Sequence, residues 1–394
     1  MRATRFVIAL FFFADGLLLG SWASRIPAVQ QQAGLTNTQL GLGLFASSLG
    51  ALVAMPLAGR LCERVGSRRV VIASLLVEGL SLVAASTAAG LTGLALALLG
   101  FGAGFGAINV AVNAQGIALE RVYGRTILSS FHAAFSLGGL VGAACGALAA
   151  GLGVTPRAHL GALAVAVAVA AAVLGRKLLA PTTNEAAPAR TTLRPPRLLL
   201  ILGAAAFCSL LAEGSAADWS GPYLSQSAHA TAWVAGLGYA AFSLAMATSR
   251  TLGDRLARRL GPVALARAGG LVAALGLTAG LLAGSAPVGL AGFAAMGAGL
   301  GVVVPLLFRA AGSTPGVSTS VGVATVSTIG WLGFLAGPPA IGFTAGAVGL
   351  RAALFIVVAV IASLLLLARS AAPRADDAAR SRSALGTPQR VGAR

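Results

Sequence analysis

Residues 126–156 read TILSSFHAAFSLGGLVGAACGALAAGLGVTP and contain no Asp, Glu, Lys or Arg. A helix of about 20 mostly apolar residues crosses a bilayer, so this stretch is long enough to span one. It is continuously apolar rather than alternating, which excludes a strand of a membrane β-barrel. Residues 268–308 and 310–350 are equally free of those four residue types, and 70–119 hold only Glu78. Splitting the long gaps at Gly, Pro and polar clusters predicts twelve spans. Their limits are 6–26, 38–59, 70–89, 91–114, 127–153, 158–175, 198–217, 230–249, 263–283, 287–308, 317–346 and 350–368.

The composition of the whole chain agrees with that reading. Its 394 residues are 57% hydrophobic and 10% charged, against about 25% charged in soluble domains. An ordinary soluble enzyme or binding domain is thereby excluded. Cys62, Cys145 and Cys208 form neither a disulfide framework nor a metal spacing.

A net charge of +18 would suggest nucleic acid in a soluble chain. Here the basic residues sort by side. With the N-terminus inside, only Arg25, Arg157 and Arg351 fall outside, leaving 28 − 3 = 25 of the Lys and Arg residues inside. That asymmetry is what sets the orientation of membrane helices. It predicts cytoplasmic termini in the bacterial inner membrane and contact with anionic lipid, and no nucleic-acid partner. The first 24 residues imitate a signal peptide, but Asp15 interrupts the apolar run, so no cleavage is expected.

The chain also resembles itself. Ala14-Asp15-Gly16 followed by Trp22 recurs as Ala212-Glu213-Gly214 followed by Trp219. Gly102-Ala103-Gly104-Phe105-Gly106 recurs as Gly297-Ala298-Gly299-Leu300-Gly301, Glu63-Arg64 as Asp254-Arg255, and Gly138-Gly139-Leu140 as Gly330-Trp331-Leu332. The offsets are 213 − 15 = 198, 297 − 102 = 195, 254 − 63 = 191 and 330 − 138 = 192. The predicted domains are an N-terminal six-helix bundle (1–177), a cytoplasmic linker (178–197), a C-terminal six-helix bundle (198–369) and a cytoplasmic tail (370–394), predicted to be disordered.

Two parallel six-span repeats joined by such a linker resemble the plan of the major facilitator superfamily. Gly59-Arg60-Leu61-Cys62-Glu63-Arg64-Val65-Gly66-Ser67-Arg68-Arg69 is similar to that superfamily's loop motif between spans two and three, with Glu63 for the usual Asp. Four segments resemble the YbjJ-type inner-membrane transporters: Gly20–Pro27, Asn113–Gly116, Ser130–Ser136 and Glu213–Trp219. Those are similar in turn to fucose-permease-like sugar:proton symporters. The resemblance implies an all-α membrane fold, twelve transmembrane helices in two pseudo-symmetric bundles, and secondary active transport. It also implies that the first and seventh spans line a central cavity.

An ionisable side chain within a span is a functional candidate. Asp15 and Glu213 occupy matching repeat positions, and a carboxyl there can bind a proton on one side and release it on the other. Hydrogen bonding to neighbouring helices is the plainer alternative. Asp218, toward the outer end of its span, joins the list, with a solvated helix end as its alternative. Glu78 is expected to form a structural ion pair with an arginine of the cytoplasmic loop. His132 shares a stripe with Arg125, Ser129 and Ser136 at spacings of 4, 3 and 4; it could relay protons or tie helices together.

Gly102, Gly106, Asn109 and Asn113 form another stripe, suited either to a hydroxylated or zwitterionic ligand or to helix packing. Trp22, Trp219 and Trp331 are candidates for cavity walls or an interfacial belt. Gly138, Gly142 and Gly146 read as a packing seam, and Gly337-Pro338-Pro339 as a kink or break. The family resemblance points to Glu63, Arg64, Asp254 and Arg255 as a cytoplasmic latch between the halves, provided that they are partly buried.

No Walker A loop, Ser-His-Asp order or HExxH is present, so neither enzyme activity nor a cofactor or metal is expected. The expected function is proton-coupled symport of a small organic solute, with a sugar-like one as the reading the resemblance adds, by a monomer. Proton-antiport efflux and a non-transporting membrane sensor are the alternatives.

Overall fold

The computed structural model describes residues 2–123, 127–179, 196–315, 317 and 319–367, and the described residues form helices and turns without strands. The side chains of Ser129, Asp254, Thr319 and Ser320 lie outside the description, as do Arg125, most of the linker and the tail. The first half holds α1 (Arg2–Gln32), α2 (Asn37–Val65), α3 (Ser67–Ala85), α4 (Gly90–Tyr123), α5 (Leu128–Gly151) and α6 (Pro156–Leu174). The second holds α7 (Arg197–Gln226), α8 (Ala232–Leu260), α9 (Pro262–Ala283), α10 (Ala286–Leu300), α11 (Val303–Gly312), α12 (Thr319–Val348), α13 (Leu350–Ala353) and α14 (Phe355–Leu367).

Eleven stretches are long and apolar enough to cross a membrane, α10 with α11 and α13 with α14 each counting as one. The twelfth is α3, whose 19 residues include Arg68, Arg69 and Glu78. The predicted twelve-span layout therefore stands. Local signals set the helix ends. Thr36 and Gln39 form a reciprocal capping box on α2, satisfying backbone donors that the first turn leaves open. Thr155 caps α6 ahead of Pro156, and the Glu120 carboxylate accepts from the α5 N-terminal amides of Ile127 and Leu128 at 2.5 and 2.7 Å.

The repeat is visible in the backbone. Gly66, between α2 and α3, has φ 85°, and Gly261, between α8 and α9, has φ 80°; 261 − 66 = 195. Only glycine adopts that conformation without strain, so these two turns mark the true register. By it the counterparts of Glu63-Arg64 are Arg258-Arg259. Asp254-Arg255 therefore sits about one helical turn earlier, inside α8 rather than in a loop.

Of the expected kink or break, the break is absent: Pro338 and Pro339 lie within a continuous α12. The break falls instead in the tenth span, at Gly301 and Val302, where Pro305 has no N–H to bond the carbonyl four residues back.

The glycine seam of α5 does pack on α1. A Cβ on Gly138 would stand 2.0 Å from the Phe13 carbonyl oxygen, and one on Gly142 2.2 Å from that of Leu17. The Ser21 hydroxyl donates to the Gly142 carbonyl at 3.2 Å across the same contact. Gly102 and Gly106 of α4 approach the Ser47 and Ala51 carbonyls of α2 in the same way. Because the obstructing atoms are backbone, Gly142→Val is expected to destabilise the protein by about 1–3 kcal/mol, read as a lower unfolding temperature of the purified protein. Gly161→Ala, where a Cβ meets nothing within 4 Å, is the control; equal unfolding temperatures would remove the seam.

The halves meet mainly away from the arginine-rich end that holds the α2–α3 turn. Gln226 donates to the Gln30 side chain at 2.9 Å, Thr38 to the Gly342 carbonyl at 3.1 Å and Ser48 to the Phe334 carbonyl at 2.9 Å. Gly236 of α8 abuts Ala147 of α5, and Gly41 of α2 abuts Pro338 and Gly342 of α12. Since α2 starts and α12 finishes at the far end, these contacts close that end.

Candidate functional site

Between α7 and α8, Glu213 Oε2 lies 3.6 Å from Arg250 Nη2, with side chains 22% and 35% exposed. This ion pair is not sealed in a core. It sits at the boundary of the halves, because the charge of Arg250 reaches His132 of α5, in the other half. One turn-stripe of α8 carries Tyr239, Ser243 and Arg250, at spacings of 4 and 7. Tyr239 is bonded to the Ser243 hydroxyl and feels the charges of Glu213, Arg250 and Asp218. Asp218 is itself partly exposed on α7.

An aromatic ring approaches this group from α12: a Cβ on Gly214, beside Glu213, would stand 2.7 Å from Phe334. Phe105 of α4 stands 6.3 Å from Phe135 of α5 and 6.4 Å from Trp331 of α12, and Trp331 stands 5.2 Å from Phe334. The Phe105–Trp331 contact crosses between the halves, and both rings keep partial exposure. A planar or ring-shaped solute would find aromatic faces on both sides of the boundary.

Asp15 lies elsewhere. It is 2% exposed, Glu78 is 0% exposed, and their carboxyls come within hydrogen-bonding reach of each other between α1 and α3. Asp15 Oδ1 and both Glu78 oxygens meet no other donor. Two carboxylates are acceptors only, so the pair closes a hydrogen bond only when it holds a proton. The expected ion pair of Glu78 with a loop arginine is replaced by this carboxyl pair. Gly104 explains the placement, since a Cβ there would stand 2.7 Å from Glu78 Cγ. The matched positions of Asp15 and Glu213 also separate. Against the 195-residue offset of the Gly66 and Gly261 turns, an offset of 198 puts the two carboxyls almost a turn out of register.

The remaining candidates divide. Trp22 and Trp219 are buried; Trp22 leans on Phe101 of its own half at 6.5 Å. Asn109 and Asn113 are half-buried, and Asn113 donates to the Asn109 carbonyl of its own helix at 2.7 Å. His132 is exposed and meets Phe12 edge-on at 5.3 Å. Glu63, Arg64 and Arg255 are exposed, so the partly buried latch is not formed in this arrangement. The fourth member, Asp254, has its side chain outside the described residues.

Arg250, Tyr239, Ser243, Phe105 and Phe135 were not singled out from the sequence. Arg250 falls one residue past the predicted limit of the eighth span, so it was counted with the loop arginines. The helical spacing of Tyr239, Ser243 and Arg250 was the available signal.

Comparisons with known proteins agree with the fold. A profile described as Major Facilitator Superfamily matches residues 6–316. The chain is 36% identical over 369 residues to an uncharacterized MFS-type transporter of Yersinia pestis, covering 93% of this chain and 94% of that protein. It is 35% identical over 363 residues to the membrane protein MosC of Rhizobium meliloti, covering 91% and 88%. A bacterial homologue of the human lysosomal transporter Spinster, in an inward-facing and occupied conformation, superposes with a TM-score of 0.73 at 15% identity, covering 93% and 95%. The nucleoside transporter NupG does so with a TM-score of 0.72 at 12% identity, covering 94% and 98%. The chain is a multi-pass membrane protein of the major facilitator superfamily, a family of secondary transporters.

Proposed function

We propose that this protein moves a small, sugar-like organic solute across the bacterial cytoplasmic membrane by proton-coupled symport, as a monomer with both termini in the cytoplasm. The observation that carries the reading is the Glu213–Arg250 pair, held within the membrane-crossing helices at the boundary of the halves. A carboxylate well inside an apolar span, as Glu213 is, is costly unless it serves a site. A hydroxylated solute can accept from Arg250 and donate to Glu213 while its ring lies against Trp331 and Phe105. Asp218, His132, Asn109 and Asn113 add polar groups around it. The far end is closed here, and the positive-inside bias makes the open end cytoplasmic. Rocking of the halves would open the far end and bring Glu63, Arg64, Asp254 and Arg255 together as a latch.

The Asp15–Glu78 pair is the proposed proton carrier, remote from the solute. Asp15→Asn keeps the hydrogen bonding but cannot exchange a proton. The variant is expected to express normally, to retain counterflow and to lose proton-driven accumulation in proteoliposomes; normal accumulation would take Asp15 out of the mechanism. The reading as a whole is tested by imposing an inward proton gradient on proteoliposomes and screening sugars for uptake. Gradient-driven expulsion would replace symport by antiport, and binding without counterflow would make the protein a sensor.

A further inference from the structure

At the arginine-rich end of the first half, α1, α4 and α5 diverge around a cavity of about 480 Å³ lined in part by Arg2, Arg5, Phe6, Ala9, Tyr123 and Ser130. That volume lies within the range of small-ligand sites, about 300–1,000 Å³. The Arg5 guanidinium carbon stands 5.9 Å from the centre of the Tyr123 ring, which holds its charge at the cavity. The carboxylate of Glu120 accepts from the α5 amides, and among the described residues neither arginine forms an ion pair.

The position of the cavity says what kind of molecule reaches it. Phe6 is 66% exposed. Ser130 lies on the same face of α5 as the exposed Leu137 and Leu148; separations of 7 and 11 residues are close to whole numbers of turns. Large apolar side chains exposed along a membrane helix face lipid tails, so the cavity opens on the lipid flank with its arginines at the water boundary. Cation above and apolar wall below is the complement of a phospholipid, not of a free ion.

We propose that this cleft binds the phosphate of an anionic phospholipid, with Arg2 and Arg5 paired to the headgroup and an acyl chain running along Phe6 and the Leu137 face. Neither Glu213 nor Arg250 lines the cleft, so the proposal stands whether or not the transport reading does.

Native mass spectrometry of the purified full-length protein tests it, using phosphatidylglycerol, zwitterionic phosphatidylcholine and inorganic phosphate as separate probes. Phosphatidylglycerol is expected to remain bound to the wild type, with retention falling about fivefold for each arginine replaced by glutamine. R2K/R5K is expected to retain it. Equal retention by wild type and R2Q/R5Q would overturn the site. So would phosphatidylcholine held as firmly as phosphatidylglycerol, or displacement of phosphatidylglycerol by inorganic phosphate, which would make the occupant a soluble anion. On the wild type alone, retention should weaken as salt is raised before lipid is added; indifference to salt overturns the electrostatic pairing even if the glutamine variant fails to fold.

Discussion

Arg250→Gln is expected to lower solute counterflow in proteoliposomes by at least about tenfold, equivalent to about 1.4 kcal/mol of lost interaction. The substitution leaves Glu213 without its partner at a depth where a lone charge is costly. It also removes the donor fork that a hydroxylated solute would use. Both side chains keep contact with open space, so the folding penalty is much smaller than for a sealed pair. Protein yield should therefore survive while transport does not. Glu213→Gln separates the two roles: it keeps a hydrogen-bonding group of the same size but removes the negative charge that faces Arg250. Counterflow by that variant is expected to need a higher solute concentration for half-saturation, while proton-driven accumulation persists. The double variant Glu213→Gln with Arg250→Gln should match the wild type in unfolding temperature and the single variants in lost transport. Wild-type counterflow in Arg250→Gln, with an unchanged half-saturation concentration in Glu213→Gln, would remove the pair from the site.

The second large effect concerns the closed end. A Cβ on Gly342 of α12 would stand 2.8 Å from Gly41 Cα and 3.0 Å from the Asn37 carbonyl oxygen, and one on Gly41 of α2 2.7 Å from the Pro338 carbonyl oxygen. All of these are backbone atoms, so Gly342→Leu cannot be absorbed by a side-chain rotation. The α1–α5 seam has similar distances, but it lies within one half, where strain can be relieved only by unfolding. The α2–α12 contact joins the halves, so strain there is relieved by parting them. About 1–3 kcal/mol of overpacking corresponds to a shift of about 5- to 150-fold against the arrangement seen here. With spin labels at the exposed positions Arg64 and Arg255 in a cysteine-free background, their separation is expected to shorten as the arginine-rich end closes. The unfolding temperature should stay near that of the wild type. An unchanged label separation would show that this contact does not gate the halves.

The latch residues illustrate why state matters. Their charges were readable from the loop motif, but whether they meet depends on which end is closed. Here the far end is closed and Glu63, Arg64 and Arg255 face solvent. Arg25 adds a second lesson. Counted as an outside charge, it is a buried member of α1 that donates to the Gly146 and Val154 carbonyls at and beyond the end of α5, where a cation meets the negative end of a helix. Arg351 does the same for the Leu281 and Leu282 carbonyls of α9. Charge counting decides the side of a segment, but not which carbonyl an arginine finds.

The apolar spans were legible in residues 126–156, 268–308 and 310–350 because the bilayer acts on each segment separately. Length, apolarity and the placement of basic residues are local quantities, and a membrane enforces them without reference to the rest of the chain. What faces what is a different kind of quantity. Asp15 meets Glu78, Glu213 meets Arg250, and Phe105 meets Trp331 only because helices distant in sequence settle at particular rotations and depths. Those are set by backbone contacts at glycines such as Gly104 and Gly142. An error of three residues in the repeat offset is invisible to composition, yet it is almost a full turn of helix. It separated two carboxyls that looked equivalent, placing one inside the first half and the other at the boundary of the halves.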